Sequence, residues 1–139
     1  MRADHPGSQF VDSNVLIYAH DRTAGERHAK ARDLVGALWR SRAGVLSVQV
    51  LQELFASINE KVGTAEARRR VADYSAWRTH APEARDVIEA IDIHRESKIS
   101  FWDAMIVRSA SQLGCDVLWT EDLNSGQSYR GVRAENPFS

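Results

Sequence analysis

Phe10-Val11-Asp12-Ser13-Asn14-Val15-Leu16-Ile17-Tyr18-Ala19 is an apolar run broken at two polar positions, Asp12 and Asn14. The break falls where a first strand, Gln9 to Asp12, gives way to a brief helical turn over Val15 to Ala19, because the run mixes strand-like and helical signals. Open α/β folds gather their binding sites at the carboxyl ends of strands. A carboxylate there needs a purpose: a metal, a nucleophilic role or a loop-fixing hydrogen bond. If the purpose is a metal, more acids must stand at comparable positions elsewhere in the chain.

Residues 1–8 read as a mobile lead and His20 to Gly25 as a polar break. From Glu26 to Trp39, Ala29, Leu34, Val35, Leu38 and Trp39 recur at helical spacing with Arg27, Lys30, Arg32 and Asp33 between them, which predicts a helix lying on a core. Val45-Leu46-Ser47 is a short second strand feeding a helix from Val48 to Lys61, with Ser47 as its cap and Val50, Leu51, Leu54, Phe55 and Ile58 as its buried side. Glu53 lies within that helix. It is either a glutamate at the edge of the apolar stripe or a carboxylate projected toward the strand ends, where a cation would offset its desolvation.

Gly63-Thr64 punctuates the chain before a helix from Ala65 to about Arg78, which carries the basic run Arg68-Arg69-Arg70. Such a run is a solvated face or a strip that attracts a phosphate backbone or an acidic partner. Pro82 separates it from a further helix over residues 84–96, whose apolar residues are Val87, Ile88, Ile91 and Ile93. His80 and His94 have no ligand-spaced companion and read as surface or packing residues. Ser100-Phe101-Trp102-Asp103 has the spacing of a capping box opening a helix that reaches Leu113. Capping alone accounts for Asp103, yet an acid in a first helical turn also stands where backbone N–H groups favour negative charge. Cys115 to Thr120 is a core strand followed at once by Glu121-Asp122, so strand, hydroxyl and acid repeat the opening pattern. Leu123 to Ser128 is a turn-rich loop, and Val132-Arg133-Ala134 adds a short last strand.

Strands and helices therefore alternate from end to end, which predicts an α/β fold: a small, mainly parallel sheet flanked by helices. With 139 residues and 43% hydrophobic content, the chain suits one domain, residues 1–139, and is short for two. Lys plus Arg number 18 and Asp plus Glu 19, so the formal charge of -1 neither advertises nor excludes a nucleic-acid partner. The single cysteine, Cys115, sits beside Val117-Leu118-Trp119 and reads as a buried thiol; no intrachain disulfide is possible, in keeping with a reducing compartment. No segment has the apolar length of a membrane span and the first residues lead into no signal-like region, so a cytoplasmic location is expected.

Four separated segments, Phe10-Val-Asp-Ser-Asn-Val-Leu-Ile-Tyr-Ala, Gln52-Glu-Leu, Phe101-Trp-Asp-Ala-Met-Ile and Leu118-Trp-Thr-Glu-Asp-Leu, together with the ending Tyr129-Arg-Gly-Val-Arg-Ala-Glu-Asn-Pro-Phe, resemble in order and spacing the PIN-domain nucleases, in particular the VapC-type toxins of bacterial toxin-antitoxin pairs. The resemblance implies a PIN-like domain in which Asp12, Glu53, Asp103 and Asp122 form a catalytic and metal-binding set. Asn14 and Thr120 match supporting positions, and Glu121 is an additional supporting acid. It further implies Mg2+ or Mn2+ as cofactor, held mainly through Asp12, Asp103 and Asp122 with Glu53 direct or through water, and hydrolysis of RNA phosphodiester bonds. Arg68, Arg69, Arg70, Arg130 and Arg133 are candidates for positioning RNA phosphates. The partners implied are a homodimer and a VapB-like antitoxin, with DNA touched only through that antitoxin. Two other readings stand beside this one. A haloacid-dehalogenase-like phosphomonoester hydrolase would use Asp12 as a covalent nucleophile, but it prefers an aspartate where Asn14 stands. A non-catalytic RNA- or protein-binding module would hold an acidic pocket that takes no divalent ion.

Overall fold

A computed structural model describes residues 7–139. The first strand, β1 (Gln9–Val11), stops one residue before Asp12, and α1 (Ser13–Ala19) begins immediately after it. A 3-10 turn at Arg22–Ala24 lies inside the polar break, ahead of α2 (Glu26–Ser41). Next come β2 (Gly44–Ser47), α3 (Val48–Val62), α4 (Thr64–Tyr74), β3 (Arg78–His80), α5 (Ala84–Ser97), α6 (Phe101–Gln112), β4 (Val117–Trp119), β5 (Ser128–Tyr129) and β6 (Val132–Glu135). The sheet order is β3-β2-β1-β4-β6-β5, parallel throughout except for the β5–β6 hairpin.

That order places the site. From β1 the chain moves outward to β2 and then β3, and later returns to the other flank of β1 as β4. Neighbouring connections therefore diverge at the carboxyl ends of β1 and β4, the topological switch point where open α/β sheets form their crevice. Phe10 is paired with Val45 on one side and Leu118 on the other. Phe10, Leu118 and Leu46, with Leu16, Leu54 and Ile93 from the helices, are among the largest fully buried side chains. Each contributes roughly 1.5–3 kcal/mol through removal from water.

The expected helix over Ala65 to Arg78 is shorter than its pattern suggests: α4 ends at Tyr74, and Arg78–His80 is instead an edge strand paired in parallel with Val45–Ser47. Trp77 makes the turn. It is buried against Gly44, where a Cβ would fall 2.4 Å from the indole ring. A three-residue polar edge strand has no apolar alternation, so periodicity does not reveal it. Helix α5 forms where its pattern places it, but it does not bury its most apolar face. Its inward stripe is Asp86, Ala90 and Ile93, while Val87, Ile91 and Ile88, the last 60% exposed, face outward. Asp86 can take an inward position because Arg108 of α6 donates to it at 2.8 Å and the Glu83 N–H at 2.7 Å. His80 stands beside the same carboxylate and meets the Ser109 hydroxyl at 2.8 Å, and His94 donates to the Ile99 carbonyl, so both histidines have packing or capping roles.

Most of the expected mobile lead lies outside the described residues, but Ser8 is buried and its carbonyl accepts the Asp116 N–H. Cys115 is a buried free thiol. The β5–β6 hairpin turns through Arg130 and Gly131, both at positive φ (50° and 82°), as a two-residue type I′ connection requires. Among the described residues no helix is long and apolar enough to cross a membrane.

Candidate active site

Asp12 follows the last residue of β1 and caps α1, so its carboxylate is fixed by the chain's own change of direction. It accepts the Ser13 N–H at 2.7 Å and the Thr120 hydroxyl at 2.8 Å. Only 5% of the residue is exposed. Burial pushes its pKa up to about 7; the Thr120 and Ser13 hydrogen bonds oppose the rise, and the neighbouring Asp122 and Glu53 charges add to it. Thr120 sits just past β4, and its oxygen also accepts the Asp122 N–H at 3.1 Å, so one hydroxyl orders both strand-end acids. Asp122 in turn accepts the Asn14 amide at 3.2 Å. Its carboxyl is raised by burial and by the Asp103 and Glu121 charges, against hydrogen bonds from Asn14 and Asp12.

Glu53 projects from the first half of α3, which starts at the Ser47 cap as expected. The Ser13 hydroxyl donates to it at 3.1 Å while lying 3.5 Å from Asp12, so Ser13 spans the two carboxylates. Sequence reasoning did not assign Ser13 a role; the only available sign was its place between Asp12 and Asn14. Asp103 stands in the first turn of α6, where its backbone N–H donates to Ser100 at 3.0 Å. Ser100 thus caps α6 through the Asp103 backbone, while the Asp103 carboxylate stands near enough for its charge to be felt at Asp122.

Glu121 faces a different set of neighbours. It accepts from the Tyr18 hydroxyl at 3.1 Å and pairs with Arg27, whose guanidinium lies over the Tyr18 and Phe138 rings. That ties the β4 end to α1 and α2. The five candidate phosphate-positioning arginines are spread over the molecule. Arg69 pairs with Glu66 and Asp73, Arg70 with Glu66, Arg130 with Glu89 and Glu96 of α5, and Arg133 with Glu135, while Arg68 is exposed on α4.

The acids meet in pairs: Asp12 with Asp122, Asp12 with Glu53 through Ser13, and Asp122 with Asp103 through its field. Among the described residues no group of three or more His, Cys, Asp or Glu side chains is close enough as it stands to hold a metal ion. The carboxyls of Asp12 and Asp122 are raised first by burial, and the charges of the neighbouring acids add to the rise. The donors present are carboxylate, amide and hydroxyl oxygens, the ligand chemistry that suits a hard divalent cation and not a soft one.

Comparison with solved structures places the fold. The chain superposes on VapC20 of Mycobacterium tuberculosis, described as a sarcin-ricin loop cleaving toxin, with a TM-score of 0.68 at 24% identity, covering 91% of this chain and 99% of that one. DNA-bound VapBC from Salmonella typhimurium gives 0.68 at 18% identity, covering 94% and 98%. A toxin-antitoxin complex from Klebsiella pneumoniae gives 0.69 at 18% identity, again covering 94% and 98%. No curated protein matches the chain in sequence. The PIN domain family, however, matches residues 10–127, a span that runs from β1 past Asp122 and contains every acid of the site. The chain belongs to the PIN-domain family.

Proposed function

We propose that this protein is a metal-dependent ribonuclease of the VapC toxin type, hydrolysing RNA phosphodiester bonds at the cluster of Asp12, Glu53, Asp103 and Asp122. The observation that best supports this reading is the pairwise approach of acids that follow β1 and β4 or lie on α3 and α6, at the switch point of a PIN fold, with Asp12 buried and its proton affinity raised. Buried carboxylates that crowd one another are costly without a cation, so the arrangement favours one. A Mg2+ or Mn2+ ion held by Asp12, Asp103 and Asp122, with Glu53 direct or through water, would neutralise the phosphate and acidify an attacking water.

The chain's own residues prepare the site. Thr120 and Ser13 aim the Asp12 oxygens, and Asn14 holds Asp122. Ser13 sets Glu53 beside Asp12, a position from which the glutamate can orient water. Among the described residues no histidine or lysine makes a hydrogen bond or ion pair with these four acids, and water is the proton donor this reading assigns to the departing oxygen.

A homodimer and a VapB-like antitoxin complete the proposal, with DNA reached through the antitoxin. The outward Val87, Ile88 and Ile91 of α5 and the 64% exposed Trp102 supply apolar area suited to protein contacts. Pairwise spacing of the acids is also what a non-catalytic RNA- or protein-binding module would have. Incubating the purified protein with RNA pools, with and without Mg2+ or Mn2+, beside Asp12→Asn and Asp103→Asn, separates the two. Cation-dependent cleavage lost by at least a hundredfold in both variants is expected, and cleavage indifferent to them removes the site.

A further inference from the structure

At the far end of α1 from Asp12 lies a cavity of about 520 Å3 lined by Ala19, His20, Arg22, His28, Arg32 and Arg70. Three guanidiniums and two imidazoles face it, and no carboxylate lines it. Such a concentration is not a reflection of composition, since the chain as a whole carries a formal charge of -1.

The nearest acids leave the cavity positive. Glu66 is shared between Arg69 and Arg70, so one carboxylate answers two guanidiniums. Asp33, beside Arg32, has a side chain 75% exposed and approaches at 3.5 Å, a weak surface pair. Asp21 is turned to cap the 3-10 turn, accepting from both the Thr23 N–H and hydroxyl. The carboxyl end of α1 would ordinarily repel an anion through its unpaired carbonyls. Here the His20 N–H covers the Ile17 and Tyr18 carbonyls, and the His28 Nδ1–H donates to the Tyr18 carbonyl at 2.9 Å. That bond places the His28 proton on Nδ1, so Nε2 of the neutral ring is an acceptor and the donors available to an anion are the guanidiniums. His20 meets the Tyr74 hydroxyl at 2.7 Å, which holds its ring between α1 and α4. Its proton affinity is lowered first by burial and then by the Arg70, His28 and Arg69 charges, as expected where cations are crowded with too few anions.

We propose that this cavity is a phosphate-binding subsite for the RNA strand whose scissile bond lies at the carboxylate cluster. Helix α1 has 7 residues, so its two ends stand roughly 10 Å apart at about 1.5 Å rise per residue. A short stretch of single strand spans that distance, with guanidiniums taking its backbone oxygens. An acidic peptide would suit the same charges; the short separation along α1 between the cavity and the acids is what favours the strand being cleaved. The inference rests on the ribonuclease reading and adds a second anchoring point to it.

The test uses the full chain and a fluorescein-labelled single-stranded RNA in EDTA, with binding followed by anisotropy across a NaCl series. Arg22→Gln/Arg32→Gln is compared with the charge-matched control Arg85→Gln/Arg95→Gln on α5. Both members of the cavity pair are exposed, and a thermal melt checks that the fold is kept. Loss of two phosphate contacts should weaken binding about tenfold or more at low salt and shrink the slope of log K against log salt by roughly 1.4, while the control stays within about twofold. An unchanged affinity and slope in the cavity variant, with wild-type protein still cleaving RNA in Mn2+, overturns the subsite and leaves the nuclease reading intact. Cavity-dependent binding without cleavage in any divalent ion supports the subsite and overturns the nuclease. Loss of poly-glutamate binding with RNA binding unchanged overturns the subsite in favour of a protein partner.

Discussion

Thr120 Oγ1 donates to Asp12 Oδ2 at 2.8 Å and accepts the Asp122 backbone N–H at 3.1 Å, so a single buried hydroxyl sets the geometry of two acids from different strands. Thr120→Val keeps the shape and removes both bonds. Supporting partners of metal-binding acids typically contribute about 10–100-fold in affinity or activity. RNA cleavage by Thr120→Val should fall within that range, whereas Thr120→Ser should retain most of the wild-type rate. A valine variant as active as wild type would show that Asp12 needs no such support.

The raised Asp12 pKa has a definite sign for stability. The unfolded carboxyl releases its proton near the ordinary value of 3.8, while the folded one keeps it to about 7. Between those limits the folded state binds more protons, so stability falls as pH rises from about 4 to 7 and levels off above, by on the order of 4 kcal/mol for this group alone. In the presence of a chelator, the wild-type Tm should therefore decline from pH 5 to pH 8, and the Asp12→Asn profile should be flatter. Adding Mn2+ at pH 8 should raise the wild-type Tm and leave Asp12→Asn nearly unchanged. Parallel melting profiles for the two proteins would contradict a buried, proton-retaining Asp12.

Asp86 and Arg108 join α5 to α6 through a carboxylate whose side chain is only 2% exposed. Burial alone would raise this carboxyl; the Glu83 N–H, Arg108 and the His80 charge outweigh it and hold it below its usual value. Its contribution is present above the unfolded pKa and is lost as pH falls through the lower folded one. Arg108→Met should cost about 3–5 kcal/mol in urea unfolding at pH 7, because it strands a buried charge. Asp86→Asn/Arg108→Met should recover part of that loss. A single-variant cost under about 1 kcal/mol would show that the pair does not hold the helices together.

Gly44 and Trp77 form a contact with no room to spare. A Cβ at Gly44 would lie 2.4 to 2.7 Å from three atoms of the buried indole ring, so the ring or the strand has to shift to admit it. Overpacking of this kind costs about 1–3 kcal/mol. Gly44→Ala should lower stability by that amount with little effect on RNA binding, and Trp77→Leu in the same chain should relieve part of it. An unchanged midpoint in Gly44→Ala would mean that β3 moves freely away from β2.

Local chemistry made the alternation of strands and helices legible in the sequence, with the Ser47 and Ser100 caps, because periodicity and capping act over a few residues. Asp12, Glu53, Asp103 and Asp122 each stand out as an acid in apolar surroundings or at an element's end, but their grouping as one set comes from the resemblance to the PIN-domain nucleases. Arg78–His80 could not be read locally, since its strand identity comes from pairing with β2 and not from its own side chains. Nor could the outward turn of Val87, Ile88 and Ile91, because the Arg108 partner that lets Asp86 face inward lies on another helix. The strand order was decided only by the tertiary structure. Return of the chain to the far flank of β1 as β4 brings Thr120 and Asp122 beside Asp12, and folding of α1 against α2, with His20 meeting Tyr74 of α4, gathers His20, Arg22, His28, Arg32 and Arg70 around one cavity. Proximity between residues a hundred positions apart is a property of packing, and no local pattern in the chain encodes it.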